Sequence, residues 1–140
     1  CRFHNVDELL ITDRPNVFTS ERVMIMKRKV NIINVLSKEW LDILNYNVAN
    51  VIDLTYTRDF DNELCCSITS AYPATHLALK LCNNNDEVHI YGVDLVNHWN
   101  FGENEQKKNR LRKDFTDLFN HYRAKGVIIK VHGEGLLCDI

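Results

Sequence analysis

The sequence contains little glycine and proline, five and two residues among 140. Because these residues punctuate helices and strands, their scarcity leaves little room for linkers or low-complexity segments. The chain also lacks any run of about 18 to 20 consecutive apolar residues, the length that a helix needs to cross a bilayer. We therefore expect a single compact domain over residues 1–140 with no membrane-spanning part.

Cysteine pairs at the spacing of metal sites or redox motifs are also missing. No Cys-x-x-Cys pair occurs, and an odd number of cysteines without such spacing is typical of reduced, intracellular thiols. The N-terminus lacks the basic start and apolar stretch of a secretory signal, so we expect a cytoplasmic protein. The chain does not begin with Met, which indicates a trimmed or excised segment. The five cysteines are Cys1, Cys65, Cys66, Cys82 and Cys138.

The charge and the standard motifs exclude several function classes. A formal net charge of −2 argues against a protein that neutralises phosphate backbones, so we do not expect nucleic acid as a partner. Phosphate-binding Gly-x-x-x-x-Gly-Lys loops, Gly-x-Ser-x-Gly elbows and His-Glu-x-x-His helices are absent. Asp59, Asp61 and Glu63 cluster on a polar loop and could hold a hard cation, although a solvated acidic loop is the commoner arrangement.

The first half of the sequence has the apolar runs of short strands. Residues 30–35 are rich in β-branched side chains, which favour strands, and residues 22–26 form a similar run bounded by charge. Ser37 is a predicted N-cap because its hydroxyl can accept from an early helical N–H, and a helix is predicted over residues 38–46. Strands are predicted over residues 1–6, 22–26, 30–35 and 51–54.

The second half alternates helices and strands more clearly. Helices are predicted over residues 72–82 and 105–125, the second with one apolar stripe at helical spacing. Strands are predicted over residues 88–91 and 127–131, the latter a continuous β-branched run typical of parallel sheets. This alternation predicts an α/β fold, a Rossmann-like three-layer domain with a mostly parallel sheet.

Residues 67–94 carry a resemblance to a known family. Thr69-Ser70-Ala71 leads into the predicted helix, and the next strand ends in Gly92-Val93-Asp94. This unit resembles the small sialylmotif region of sialyltransferases and the corresponding unit of bacterial sialyltransferases and their relatives, in which Thr-Ser-Gly opens the helix. Residues 2–5 resemble the Arg-x-Asn tail of the large sialylmotif, and residues 114–131 resemble the closing helix and strand of the family.

The resemblance implies a glycosyltransferase that moves a sugar from a nucleotide-activated donor, a CMP-sugar, to an acceptor hydroxyl. No cofactor or metal is expected beyond that donor, and the partners are the donor and a glycan or other hydroxyl acceptor. The start of a helix favours an anion, and polar residues after a strand lie where open α/β sheets bind ligands. The donor-binding residues implied are Arg2, His4, Asn5, Thr69, Ser70, Ala71 and Asp94.

A general base is the remaining requirement, and His98 is the candidate. It follows the Gly-Val-Asp strand end and resembles the family's His-aromatic motif. The unperturbed pKa of an imidazole, about 6.5, suits proton abstraction at neutral pH. The alternative is a loop histidine without chemistry. Of the others, His76 and His121 lie on predicted helices, His89 is interpreted as a structural strand residue, and His132 follows the last strand, where it could face the site.

Departures from the family pattern support a second hypothesis. A glycine-rich loop expected before Arg2 is not part of the sequence, and Ala71 stands where the family has glycine, adding a methyl group near the ligand. Arg110 stands four residues before Asp114, where the family has histidine. The alternative function is therefore a catalytically inactive relative that acts as a ligand-binding or protein-interaction module. Oligomeric state is not indicated by the sequence.

Overall fold

The computed structural model describes residues 6–44, 49–95 and 104–140. The predicted site residues Arg2, His4, Asn5 and His98 lie outside these ranges. The chain divides into two compact units, Cys1–Leu54 and Thr55–Ile140. Each unit has its own cluster of buried apolar side chains and is described by itself.

The first unit alternates strands and helices around a three-stranded sheet. β1 (Val6–Ile11) pairs with β2 (Val30–Val35), and β2 pairs with β3 (Ala49–Val51); both pairings are parallel, so β2 is the middle strand. A 3-10 turn at Pro15–Val17 follows the first strand, and its proline lies at the first position of the turn. The elements are β1 (Val6–Ile11), α1 (Ser20–Lys29), β2 (Val30–Val35), α2 (Glu39–Leu44) and β3 (Ala49–Val51).

Trp40 lies at the centre of the core of the first unit. Its side chain is fully buried, and its indole N–H donates to the carbonyl oxygen of Asp13 at 2.8 Å. The ring of Phe18 meets it edge to face, with centroids 5.2 Å apart. Three of the four β-branched side chains of β2 belong to the same core, Val30 at 5% exposure and Ile33 and Val35 at 0%, whereas Ile32 is exposed. The hydrophobic pattern of residues 30–35 thus correctly predicts a core strand.

The prediction of a strand over residues 22–26 is wrong, because these residues lie within α1. The hydroxyl oxygen of Thr19 accepts the backbone N–H of Arg22 at 3.3 Å, which caps the helix. Met26 is buried and Val23, three residues earlier, is half-buried, whereas Met24 is exposed. An apolar run of four residues, 23–26, cannot distinguish a strand from a helix, and here the cap and the spacing favour the helix.

In the described part of the second unit, residues 55–95 and 104–140, two helices accompany a two-stranded parallel sheet. The elements are α3 (Ala71–Lys80), β4 (Glu87–Ile90), α4 (Glu105–Ala124) and β5 (Ile128–Val131). The strands pair in register from Glu87 with Ile128 to Ile90 with Val131. These bounds agree with the predicted helices and strands to within one or two residues. The second half of the chain was therefore well predicted by its hydrophobic periodicity.

Local chemistry accounts for the ends of these elements. The side-chain oxygen of Asn104 accepts the N–H of Lys107 at 3.1 Å and caps α4. Gly126 ends the same helix with a positive φ of 86°, a conformation that costs glycine little. Asn85, in the turn after α3, has a φ of 69°, as expected for asparagine in turn chemistry. The predicted stripe of α4 is fully buried at Leu111, Phe115, Leu118 and Phe119.

The fold is α/β with parallel sheets, as the sequence predicts. Each pair of hydrogen-bonded strands, β1–β2, β2–β3 and β4–β5, is joined through a helix, which gives β-α-β units consistent with a Rossmann-like fold. Within the described ranges, every helix is too short or too polar to span a membrane.

Candidate functional site

The two parallel strands of the second unit end at the same edge of their sheet. β4 ends at Ile90 and β5 at Val131, and these two residues are paired. We name the residues that follow them, 91–95 and 132–135, the carboxyl edge. Open α/β sheets bind ligands outside the carboxyl ends of their strands. The carboxyl edge is therefore the first place to search for a site in this unit.

Helix α3 begins on the side of the carboxyl edge. Because β4 and β5 are parallel, α4 must run from the carboxyl end of β4 back to the amino end of β5. The rings of Tyr72 and Phe115 lie 5.1 Å apart, and those of His76 and Tyr122 lie 5.8 Å apart. Residue numbers rise together along both helices, so α3 runs in the same direction as α4. The start of α3 and Asp94 consequently lie toward the same end of the unit.

The three predicted residues at the start of α3 differ in exposure. Thr69 is 8% exposed, and its hydroxyl oxygen accepts the N–H of Ala71 at 3.4 Å. The N–H of Tyr72 donates to the carbonyl oxygen of Thr69 at 3.3 Å. Two amides of the first turn are thus already partnered within the turn. Ser70 is exposed, and its hydroxyl is the polar side chain that this turn offers to solvent.

Asp94 is held by its backbone and leaves its side chain exposed. The N–H of Leu136 donates to the carbonyl oxygen of Asp94 at 2.7 Å. Gly135 has a φ of 152°, and a Cβ atom there would stand 2.6 Å from both the Cα and the carbonyl oxygen of Asp94. Only glycine permits this approach. The loops after β4 and β5 are therefore in contact at the carboxyl edge through the backbones of Asp94 and Gly135. Asp94 itself is exposed to solvent.

A buried carboxylate ties the loop before α3 to α4. Asp114 is 6% exposed and pairs with the guanidinium of Arg58 at 3.0 Å. The hydroxyl of Ser67 donates to the same carboxylate, and Arg110 lies 3.9 Å from it. The arrangement fixes Ser67, two residues before Thr69. Two guanidiniums share one carboxylate, so the cluster retains a positive charge, which favours an anion nearby.

Sequence reasoning missed this cluster, although one signal for it exists. Asp114 falls three residues after Leu111 and directly before Phe115, so helical spacing places it on the buried stripe. A charged residue on such a stripe requires a partner. That partner, Arg58, lies in a polar loop 56 residues earlier in the sequence, where no local pattern marks it.

His76 is a buried packing residue of the second unit, in keeping with its helical position in the sequence. Its Nδ1 accepts the backbone N–H of Cys65 at 3.0 Å, and its Nε2 lies 3.0 Å from the carbonyl oxygen of Phe60. Burial lowers the pKa of His76 to about 4, against a partial opposing effect of the Phe60 carbonyl. The imidazole is therefore neutral at physiological pH and joins the loop to the helix.

Two exposed histidines meet across β4 and β5. The Nδ1 of His89 lies 2.8 Å from the Nε2 of His132, and the Nε2 of His89 lies 3.0 Å from a carboxylate oxygen of Glu87. The ring of Tyr91 stacks on that of His132 with centroids 4.3 Å apart. His89 is interpreted from sequence as structural, yet its side chain faces solvent. His132 lies at the carboxyl edge, where the sequence allows it to face a site.

The acidic loop that the sequence offers as a cation site is engaged with its neighbours. The carboxylate of Asp61 binds the Lys125 ammonium and the His121 imidazole, and these two hydrogen bonds lower the pKa of Asp61 to about 2. Asp59 accepts from the amide of Asn62 at 3.0 Å. Over the part of the chain that the structure describes, no group of three or more potential metal ligands is found.

A cavity of about 290 Å³ lies at the other ends of α3 and α4. Its polar lining includes the charged residues Asp61, Lys80 and Lys125 and the amides of Asn83 and Asn84. Lys80 donates to the carbonyl oxygen of Asp61 at 2.9 Å, and Lys125 binds the carboxylate. The two ammonium groups are therefore already bonded within the protein, Lys125 to a carboxylate and Lys80 to a backbone carbonyl, and the cavity lies away from the carboxyl edge.

Comparison of the chain with protein-family models, with curated proteins and with solved structures finds no match.

Proposed function

We propose that the protein is a glycosyltransferase-like domain of the sialyltransferase type, which transfers a sugar from a nucleotide-activated donor to an acceptor hydroxyl. The observation that carries the proposal is that the start of α3 and the exposed Asp94 lie toward the same end of the second unit, at the carboxyl edge. The motif resemblance covers these same residues. A CMP-sugar is the donor that the resemblance implies.

In this proposal, the two parts of the carboxyl edge bind different parts of the donor. The Asp94 carboxylate accepts hydrogen bonds from ribose hydroxyls, as acidic residues do in dinucleotide-binding folds. The donor's negative charge lies toward the start of α3, where the helix dipole, the Ser70 hydroxyl and the excess positive charge around Asp114 favour an anion. Thr69 and Ala71 shape the turn that presents Ser70.

The proposed chemistry is a single displacement with inversion at the sugar carbon. His98 accepts the proton of the acceptor hydroxyl while the acceptor oxygen forms its bond to the anomeric carbon. The bond from that carbon to the phosphate oxygen breaks, and cytidine monophosphate leaves with the electron pair. The nucleotide is already a good leaving group, so the scheme requires no metal ion of its own.

The alternative is a catalytically inactive relative that binds a nucleotide without transferring its sugar. One observation favours it: the position where the resemblance expects a histidine is taken by Arg110, which lies 3.9 Å from the Asp114 carboxylate. A guanidinium remains protonated at neutral pH and cannot serve as a base. Under this alternative His98 has no chemical role.

Turnover separates the two functions. We would incubate the full chain with CMP-sialic acid and a mixture of hydroxyl acceptors, and detect the product by mass spectrometry. Wild type should form product, and His98→Ala should lose at least about a hundredfold of the rate. Equal rates in both would remove His98 from the mechanism. Nucleotide binding without turnover would support the inactive relative.

Binding is tested through Asp94. Titration calorimetry with CMP should show weaker binding to Asp94→Asn than to wild type, because an amide is a poorer acceptor for two hydroxyl groups. Asp117→Asn, an exposed carboxylate paired with Lys113 on α4, is the matched control and should bind as wild type does. No detectable binding of CMP to wild type would overturn both the proposed transferase and its nucleotide-binding relative, and would favour the protein-interaction module.

A further inference from the structure

Three aromatic rings lie nearly parallel on the exposed face of the β4–β5 sheet. The planes of Tyr91 and His132 differ by 5°, those of His89 and His132 by 9°, and those of His89 and Tyr91 by 12°. Tyr91 stacks on His132, and the two imidazoles lie side by side with centroids 5.0 Å apart. We name these three residues the ring platform.

Hydrogen bonds fix the imidazoles of the ring platform. In neutral His89, the Nε2–H donates to the Glu87 carboxylate at 3.0 Å, so Nδ1 is free to accept. The Nε2–H of His132 donates to that Nδ1 at 2.8 Å. Glu87 is itself held by the Lys130 ammonium at 3.0 Å. These hydrogen bonds therefore orient the His132 ring, on which Tyr91 stacks, without the help of a ligand.

Tyr91 is also placed to meet a ligand at the carboxyl edge. It directly follows the last residue of β4, and Asp94 comes three residues later. Its side chain is 68% exposed, although its orientation is fixed by the stack on His132. A large aromatic ring that is both ordered and open to solvent presents a flat π-face at low entropic cost.

We propose that Tyr91 stacks against the base of the nucleotide donor, with His132 and His89 as positioning residues that hold the ring. The proposal rests on the proposed function, because it takes the donor to be a nucleotide bound beside Asp94. Stacking of a base on an aromatic side chain changes affinity by roughly fivefold to a hundredfold. Tyr91 thereby supplies affinity for the base, and Asp94 for the ribose.

The test compares a nucleotide with the same compound lacking its base. Titration calorimetry of the full chain would use CMP and ribose 5-phosphate against wild type, Tyr91→Ala and Tyr91→Phe. We expect Tyr91→Ala to weaken CMP binding by about tenfold or more and to leave ribose 5-phosphate unchanged. Tyr91→Phe keeps the π-face and should bind CMP within about twofold of wild type.

Two further variants complete the design. Tyr56→Ala removes a tyrosine of equal exposure, 69%, which stacks on no other ring among the residues described, and should leave CMP affinity unchanged. His132→Ala removes the support beneath Tyr91 and should weaken CMP binding less than Tyr91→Ala does. Circular dichroism would establish that each variant is folded.

The outcomes separate the inference from the function on which it rests. Equal CMP affinity of wild type and Tyr91→Ala would overturn the stacking role and leave the proposed function standing. A change from oligomer to monomer in Tyr91→Ala, seen by sedimentation, would also overturn it, because the ring would then face a second copy of the chain. Failure of wild type to bind CMP at all would overturn both.

Discussion

The Nε2 of His76 lies 3.1 Å from the hydroxyl oxygen of Tyr122, and both groups donate to the same carbonyl oxygen, that of Phe60. The Nδ1 of His76 accepts from the N–H of Cys65, so the proton of the neutral ring must sit on Nε2. One buried imidazole thus joins α3, α4 and the loop between residues 55 and 69. The network has no place for a second proton on the ring.

The stability of the second unit should therefore fall in acid. The pKa of His76 is about 4 in the folded protein and 6.5 as an ordinary histidine. The unfolded chain then binds more protons than the folded one between these values, so the free energy of unfolding decreases as the pH drops from about 6.5 toward 4. The loss amounts to about 3 kcal/mol at most.

Urea unfolding at a series of pH values measures this loss, with His76→Gln as the comparison. Glutamine does not titrate, so the variant should be less stable than wild type at neutral pH but should show a flatter dependence in acid. Equal slopes in the two proteins would show that another group causes the acid sensitivity.

The Asp114 carboxylate is expected to stabilise the fold through the loop that it holds. Asp114→Asn removes the charge that pairs with Arg58 and leaves a partly buried guanidinium without its partner. Because the Arg58 side chain is 32% exposed, solvent reduces the effect, and we expect a loss of about 2 kcal/mol in the free energy of unfolding.

Asp117→Asn on the same helix is the matched control for this substitution. Asp117 pairs with Lys113 at 2.7 Å, but both side chains are exposed, so the change should cost less than about 0.5 kcal/mol. Chemical denaturation of the two variants side by side provides the measurement. Similar costs in both would mean that burial of Asp114 does not matter.

Substitution of Gly135 should disturb the carboxyl edge. A methyl group there would stand 2.6 Å from the backbone of Asp94, which has no flexible atom to move away. We expect Gly135→Ala to lower the free energy of unfolding by about 2 kcal/mol or more and to weaken nucleotide binding by displacing Asp94.

Gly133→Ala separates crowding from backbone strain. Gly133 also has a positive φ, 96°, but nothing lies within 4 Å of the added carbon. Its substitution should cost about 1 kcal/mol from conformation alone and leave nucleotide binding intact. Thermal unfolding and CMP titration of both variants test this, and equal effects would refute the close contact between Gly135 and Asp94.

In the first unit, the N-cap at Thr19 is expected to stabilise helix α1. Thr19→Ala removes the oxygen that accepts the Arg22 N–H, and we expect a cost of about 1 kcal/mol. The buried Trp40 reports unfolding of this unit by fluorescence in a Trp99→Phe background. Ser20→Ala, at the exposed first position of the helix, should be nearly neutral. An equal cost at both positions would remove the cap from the explanation.

Much of the fold follows from hydrophobic periodicity, most clearly at α4, where the stripe from Leu111 to Tyr122 predicts the helix and its buried face. Asn85 and Gly126, residue types that tolerate a positive φ, lie in the turn after α3 and at the end of α4. Periodicity fails over residues 22–26, because the four apolar residues at 23–26 fit either period. The helix is determined by the cap at Thr19, which lies outside that run.

The candidate site is less accessible to sequence reasoning than the fold. Residue order predicts that Ser70 and Asp94 lie near strand and helix ends, because parallel strands share an edge. It does not predict that Asp114 binds Arg58 or that His89 meets His132, since both pairs join residues more than 40 positions apart. Such pairs depend on tertiary packing, which no local pattern encodes.

The separate cores of the two units also have a consequence for synthesis on the ribosome. The buried side chains of the first core extend from Ile11 to Leu44, so this unit can collapse as soon as its last strand has emerged. The second core includes Leu136 and Leu137 together with buried side chains of α3 and α4, which are synthesised earlier. Its apolar surface therefore stays uncovered until residue 137 has left the exit tunnel, and this interval is when a chaperone would be most needed.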